Sequence, residues 1–217
     1  MRVLVSDYSG HPFQVQLTRE LARRGWEARH VFSAAFQTPK GNLTKQPNDP
    51  ETFSISPIVL GEGFQKGAFV KRRQQEIQQG QMIADQIEDF RPDIVVSSNA
   101  PLDTQRKIWA RCAALNIPKV FWVQDIYSEA ISRFLQQKSV LLNATIGAYY
   151  RKLEKRMLHA SEAMVVISDG FVPILEKMGL PADKINVVEN WAPLGELPQF
   201  PRENDWTQAN LVDTKQP

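Results

Sequence analysis

The chain has 217 residues, with 26 Lys and Arg against 24 Asp and Glu and a single cysteine. That length suits one large α/β domain or two small ones and lets about 70% of the unfolded surface be buried. The near-balanced charge disfavours nucleic-acid binding, one cysteine excludes an intramolecular disulfide framework, and no apolar run reaches the ~18 residues of a membrane span. A chain that begins directly with a strand pattern rather than a signal peptide is expected to be soluble and cytoplasmic.

Arg2 to Ser6 reads as the first strand and Asp7-Tyr8-Ser9-Gly10-His11 as its loop. Pro12 suits the first helical position, Phe13, Leu17 and Leu21 form an apolar stripe, and Gly25 ends the helix. Arg29 to Ser33 is a second strand. From Ala34 to Phe64 the pattern weakens into Pro, Asn and Gly, with one short strand at Ile55 to Leu60. Gln74 to Phe90 is helical with Ile83, Ile87 and Phe90 on one face, and Pro92 breaks the chain before a strand at Asp93 to Ser97. Thr104 to Leu115 is a helix whose apolar stripe takes in Cys112 as inert core, and Lys119 to Val123 is a buried strand. Ile146, Tyr149, Tyr150, Leu153 and Met157 mark a helix whose other face carries Arg151, Lys152, Glu154, Lys155 and Arg156.

Met164 to Ile167 is an apolar run of the kind buried on both faces of a parallel sheet. Ser168 is placed to cap the following helix, Phe171, Leu175 and Met178 form its stripe, and Gly179 and Pro181 end it before a strand at Ile185 to Val188. Strands joined by helices in this way give right-handed crossovers and a doubly wound parallel Rossmann-like sheet of about seven strands. After Trp191 the pattern collapses into a Pro-punctuated stretch with one short helix at Asn204 to Leu211. The expected division is a domain over 1–191 and a linker over 192–217.

Ligands of an open parallel sheet bind beyond the carboxyl ends of its strands. Five loops reach that edge: Asp7 to His11, Ser97 to Pro101, Gln124 to Tyr127, Ser168 to Gly170, and Glu189 to Trp191. Their hydroxyls, amides and aromatic faces suit a sugar, although polar loops are the norm at any strand end. Gly10 either puts helix-start amides against a phosphate or is a turn glycine without ligand, and one glycine is no dinucleotide fingerprint. His11 is the histidine on this edge and a candidate proton carrier, against the plainer reading of a loop residue; His30 and His159 read as structural. Asp125 is a candidate for binding a sugar hydroxyl or moving a proton, or it is a turn or cap aspartate. Lys66–Arg73, with Phe64 and Phe69 nearby, could rest on an anionic membrane or be a solvated helix start. No metal-ligand spacing is read.

The phrases VQDIYSEA, YYRKLEKRML, HASEAMVVIS and VVENWAP resemble family-4 glycosyltransferases, retaining enzymes of the two-domain GT-B fold, most closely the exopolysaccharide transferases of the colanic-acid type. PRENDW is similar to the segment such enzymes place before their second domain. The resemblance implies the N-terminal, acceptor-binding half of a hexosyltransferase acting on a lipid-linked or saccharide acceptor, with a nucleotide-sugar donor as substrate and no cofactor. It implies catalytic roles for His11 and Asp125, a donor-phosphate role for the Gly10 loop, and acceptor contacts from Ser98, Asn99, Tyr127, Ser168 and Asn190. Many relatives carry a histidine where this chain has Ser97-Ser98-Asn99. The donor-site Arg/Lys pair and E-x7-E carboxylates of a second domain have no counterpart here, so a missing domain or a partner subunit is expected to supply them. The chain alone is then expected to be inactive, with an apolar strip exposed where the final GT-B helix would lie.

Overall fold

The computed structural model describes residues 1–35, 41–61, 69–98, 100–196 and 200–210, with Phe69 by its backbone only. Seven strands form one sheet: β1 (Arg2–Asp7), β2 (Glu27–Ser33), β3 (Phe53–Ile58), β4 (Ile94–Ser98), β5 (Lys119–Val123), β6 (Ala163–Val166) and β7 (Ile185–Val187). Their order is β3-β2-β1-β4-β5-β6-β7 and every pairing is parallel. The reversal of winding at β1 puts the switch point between β1 and β4, beside the loop of Gly10 and His11. The expected doubly wound Rossmann-like sheet is therefore present. The strand expected at Ile55 to Leu60 lies two residues earlier.

Helix α1 (Pro12–Arg23) packs on one face of the sheet, while α2 (Phe69–Phe90), α3 (Leu102–Ala114) and α6 (Ala148–His159) pack on the other. Gly25 and Gly179, at φ +88° and +83°, let the chain turn back where α1 and the short α7 (Val172–Lys177) end. Leu17 and Leu21 are only partly buried; the buried face of α1 runs instead through Gln14, Val15, Thr18, Arg19 and Ala22. Arg19 explains part of this shift. Its guanidinium, buried with Asp49 at 2.9 Å, also donates to the Thr44 carbonyl and lies over Phe53, tying the 41–52 segment to the sheet. His30 does not begin its strand; it is buried in the middle of β2 under α1.

The face opposite α2 is unevenly covered. Val5, Val96, Val120 and Ala163 are in-register neighbours on the α1 side, because paired residues of parallel strands point the same way. Val5 is fully buried, yet Ile94, Val96, Val120, Ala163 and Val165 remain partly exposed where α1 does not reach. This is an apolar strip across β4, β5 and β6.

A helix that the sequence analysis leaves unassigned, α4 (Tyr127–Lys138), follows β5. Beyond Ser139 the chain re-enters helix as α5 (Val140–Leu142), widens into a π-helical turn over Asn143–Gly147 and continues as α6. Glu154 is not on the solvent face of α6: it is buried, and its two oxygens accept the amides of Tyr127 and Ser128 at 3.0 Å each. It thus caps α4 from a helix 27 residues away. Asp205–Asn210 forms a last short helix, α8.

Helices α2 and α3 meet at Gly80, where a Cβ would stand 2.8 Å from the Thr104 carbonyl oxygen, and the Thr104 hydroxyl donates to the Glu76 carbonyl. Gly80→Ala gains about 1 kcal/mol of helix propensity. It should nevertheless lower the urea unfolding free energy by about 1–2 kcal/mol, because backbone rather than a flexible side chain must give way. An alanine variant more stable than the parent would contradict this packing.

Candidate functional site

The carboxyl edge is organised from Asp7, the last residue of β1. Its Oδ1 accepts the amides of Ser9 (3.0 Å) and Gly10 (2.9 Å), which folds the loop back over the strand. Gly10 takes φ +79° there, and its carbonyl accepts from Gly41. Its amide is therefore turned to Asp7 rather than outward. The His11 carbonyl then accepts from Gln14 and Val15 to start α1, with Pro12 in the first turn, where its missing N–H costs nothing.

This start places a run of rings along the edge. His11 stacks on Phe13 at 5.4 Å, and Phe13 meets Trp122 of β5 and Trp191 beyond β7 edge-on at 5.5 and 5.8 Å. The Trp191 indole N–H donates to Gln16 of α1, whose amide in turn donates to Glu196. Gln124 and Asn190 exchange two side-chain hydrogen bonds, at 2.8 and 3.4 Å. The segment after β7 thus crosses back to α1 and closes over the ends of β5 and β1. Burial holds the His11 imidazole below its ordinary pKa, so it is neutral at pH 7 and can accept a proton.

Of the remaining expected residues, Asp125 is exposed in the turn after β5, and Tyr127 opens α4 with its amide held by Glu154. Burial, then Asp125 and Glu76, push the Tyr127 hydroxyl up to about 12, so it stays a donor. Ser98 is buried at the end of β4, in register with Trp122, and its carbonyl accepts from the Gln105 amide. Asn99 lies outside the described residues. Ser168 follows β6 at the same edge, but its side chain makes no capping bond; its carbonyl accepts from Phe171 in a 3-10 turn. Of Lys66–Arg73, residues 66–68 and the Phe69 side chain lie outside the description, as does Phe64. Arg72 and Arg73 turn to Glu76 (2.8 Å) and Asp103 (2.9 Å), so among the described residues of that segment Lys71 is the cation not drawn into an ion pair.

These last contacts are ones the sequence reading missed. Tyr8, Arg72, Glu76 and Tyr127 influence one another's protonation, and burial with Glu76 keeps the Tyr8 hydroxyl well above the usual phenol range. Beside them Asp103 accepts from both Arg73 and the Tyr150 hydroxyl (2.8 Å). The available signal was helical spacing: Arg72 and Glu76 are four apart at the start of α2, and Tyr150, Glu154 and Met157 share one line of α6. That line carries a functional consequence. Glu154→Ala should cost about 2 kcal/mol in chemical denaturation by leaving the buried Ser128 amide and the part-buried Tyr127 amide unpaired, and Glu154→Gln less, since its amide oxygen still accepts one. Equal stability of all three proteins would contradict the cap.

A second buried pair titrates. Burial raises Asp7 to about 7 against the opposing amides of Gly10, Ser9 and His11, and lowers His30, 3.7 Å away, to about 3. The fold holds the Asp7 proton more tightly than the unfolded chain, so this group's contribution falls as pH rises from about 4 to 7. The fold refuses the His30 proton that the unfolded chain binds, so that contribution rises with pH from about 3 to 6.5. The two oppose each other across most of the same window. Relative to the parent, Asp7→Asn should make stability climb more steeply between pH 4.5 and 6.5, by about 1.4 kcal/mol per pH unit at most, and His30→Asn should make it fall. Parallel pH profiles for parent and both variants would refute the assignment.

No curated protein matches the chain. Among solved structures, UGT2 of Phytolacca americana, complexed with UDP-2fluoro-glucose and pterostilbene, is similar with a TM-score of 0.55 and 11% identity, over 87% of this chain and 53% of its own. LpCGTa in complex with UDP gives 0.54 and 10%, over 89% and 55%. Anabaena Alr3699/HepE in complex with UDP gives 0.50 and 13%, over 90% and 45%. The chain spans about half the length of each, and at such identities the likeness is one of fold alone, that of the Rossmann-like parallel sheet. The sequence itself matches the profile of Glycosyltransferase Family 4 over residues 13–195, and the chain belongs to that family.

Proposed function

We propose that this chain is the acceptor-binding half of a retaining hexosyltransferase of the colanic-acid or exopolysaccharide type, taking a sugar from a nucleotide-sugar onto a lipid-linked or saccharide acceptor. The observation that carries the reading is the single edge on which His11, Phe13, Trp122, Gln124, Asn190 and Trp191 meet. The accessible rings of His11 and Trp191, backed by the buried Phe13 and Trp122 and set beside the paired amides, match a pyranose, which offers apolar ring faces and many hydroxyls.

In this reading a neutral His11 and the Asp125 carboxylate serve the acceptor hydroxyl, one accepting its proton and the other orienting it. Tyr127, Ser98, Asn99, Ser168 and Asn190 provide acceptor contacts, and the Gly10 loop lies nearest the donor phosphates. The solved structures with UDP or UDP-2fluoro-glucose support a nucleotide-sugar donor, whose main site belongs to a second domain or partner subunit. The partly exposed strip on β4, β5 and β6 supports such a partner, since an apolar helix laid there would finish burying it. No transfer then occurs with these 217 residues alone.

The test is a radiolabelled-sugar transfer assay on the isolated chain and on its assembly with a donor-binding half. Transfer is expected only from the assembly, with His11→Ala and Asp125→Ala each lowering kcat/KM about a hundredfold while the unfolding midpoint holds. Transfer by the isolated chain, or tight nucleotide binding by it, would overturn the acceptor-half reading.

A further inference from the structure

Asp7 and His30 face each other beneath the loop that leads to His11, and Thr18 of α1 joins them. The Thr18 Oγ1 is 2.9 Å from the Gln14 carbonyl oxygen and 3.0 Å from His30 Nδ1. A hydroxyl has one proton to give. When it goes to the carbonyl, which only accepts, Nδ1 must carry the imidazole proton and donate to Thr18, and Nε2 keeps a bare lone pair. That lone pair faces Asp7 Oδ2 at 3.7 Å, and among the described residues neither atom has a hydrogen-bond partner. Both side chains are fully buried, so bulk water relieves neither.

Two opposed lone pairs in a buried site are satisfied by a proton between them. Two arrangements supply one. In the first, Asp7 is an acid whose Oδ2–H points at Nε2, Nδ1–H donates to Thr18, and Thr18 donates to Gln14. In the second, Asp7 is a carboxylate, Nε2–H points at Oδ2, and the Thr18 hydroxyl turns from the Gln14 carbonyl to the bare Nδ1. Passing from first to second breaks the Oδ2–H bond and forms Nε2–H, while Nδ1–H breaks and its proton goes to solvent water. One proton leaves, and the imidazole is neutral at both ends. In either arrangement Asp7 Oδ1 can keep the amides of Ser9 and Gly10.

Few other charges bear on the pair. Among the described residues Arg19 of α1 acts on His30, and its charge is matched by Asp49. β3 brings Ile55 into register with His30, and β4 ends in Ser97 and Ser98 beside β1. The His11 imidazole stands beyond the loop, stacked on Phe13.

We propose that Asp7, His30 and Thr18 form a buried relay that gives up one proton by exchanging these two arrangements, with the turn above it closed. The loss puts a negative charge under the amides that lead to His11, near the start of α1, where the helix dipole favours it. The relay thus makes the charge beneath the candidate edge depend on pH. It is a property of the fold and does not rest on sugar transfer; a chain without transferase function would show it too.

The test is an NMR titration of the isotope-labelled full chain from about pH 5 to about pH 9, followed at the His30 ring and at the Ser9 and Gly10 amides. Burial, which raises Asp7 to about 7, puts the step near neutrality. The His30 proton is expected on Nδ1 below the step and on Nε2 above it. The Ser9 and Gly10 amide protons should move to lower field at the same midpoint, because their acceptor becomes charged. Asp7→Asn copies the acid arrangement, its amide donating to Nε2, so His30 should stay the Nδ1–H tautomer and the step should vanish. One tautomer throughout in the parent, an imidazolium within that window, or a step that survives in Asp7→Asn would overturn the relay. So would loss of Ser9 and Gly10 exchange protection at the step, beyond the intrinsic rise of exchange with pH, since Asp7 would then ionise by opening the turn.

Discussion

A carboxyl group buried at the end of the central strand sets the geometry of everything around it. Removing an acid from water is costly unless it is neutral or well bonded, and Asp7 is buried between the amides of its own loop and His30. The amides it gathers decide where the chain leaves β1, hence where α1 begins and where Phe13 falls. Phe13 in turn meets Trp122 and Trp191, so the end of β5 and the segment beyond β7 are positioned from the turn at the end of β1. Because β1 sits at the switch point, an error of one residue in that turn would displace the loop from the edge where the others converge.

The strands were legible because a two-faced buried strand must be apolar throughout, as in Leu4 and Val5 or Met164 to Val166. Gly25 and Gly179 were legible as stops because only a residue without Cβ enters the left-handed region freely. What escaped were buried polar residues whose partners are remote in sequence. Gln14 and Thr18 replace the expected Leu17 and Leu21 line because Arg19 must reach Asp49, 30 residues on, and Thr18 must meet His30. Glu154 reads as surface charge until α4 is present to need a cap, and α4 itself offers only a loose stripe, Ile131 and Leu135, amid exposed polar residues. Periodicity reports apolar burial; it is silent on polar groups buried against distant partners.

The candidate site divides along the same line. The loops could be placed on one edge from strand order alone, which is why His11, Gln124, Asn190 and Trp191 fall together. The Arg73–Asp103 pair could not, since it depends on how the first turns of α2 pack against α3 and α6, and the Arg72–Glu76 pair escaped because α2 starts before the Gln74 at which its pattern becomes legible. They also change the meaning of a basic segment: two of its cations, though still partly exposed, are paired with carboxylates.

Among the described residues two apolar surfaces stand on opposite sides of the sheet, and their chemistry separates them. The strip on β4 to β6 is a regular sheet face of small and β-branched side chains, without charges of its own, the kind of surface another helix covers by interdigitation. The α4–α5 tip is instead irregular, a short helix and a π-helical turn that expose Val140, Leu141, Leu142 and Ile146. Since the strip and the tip lie on opposite sides of the sheet, a helix that covers the strip leaves the tip untouched.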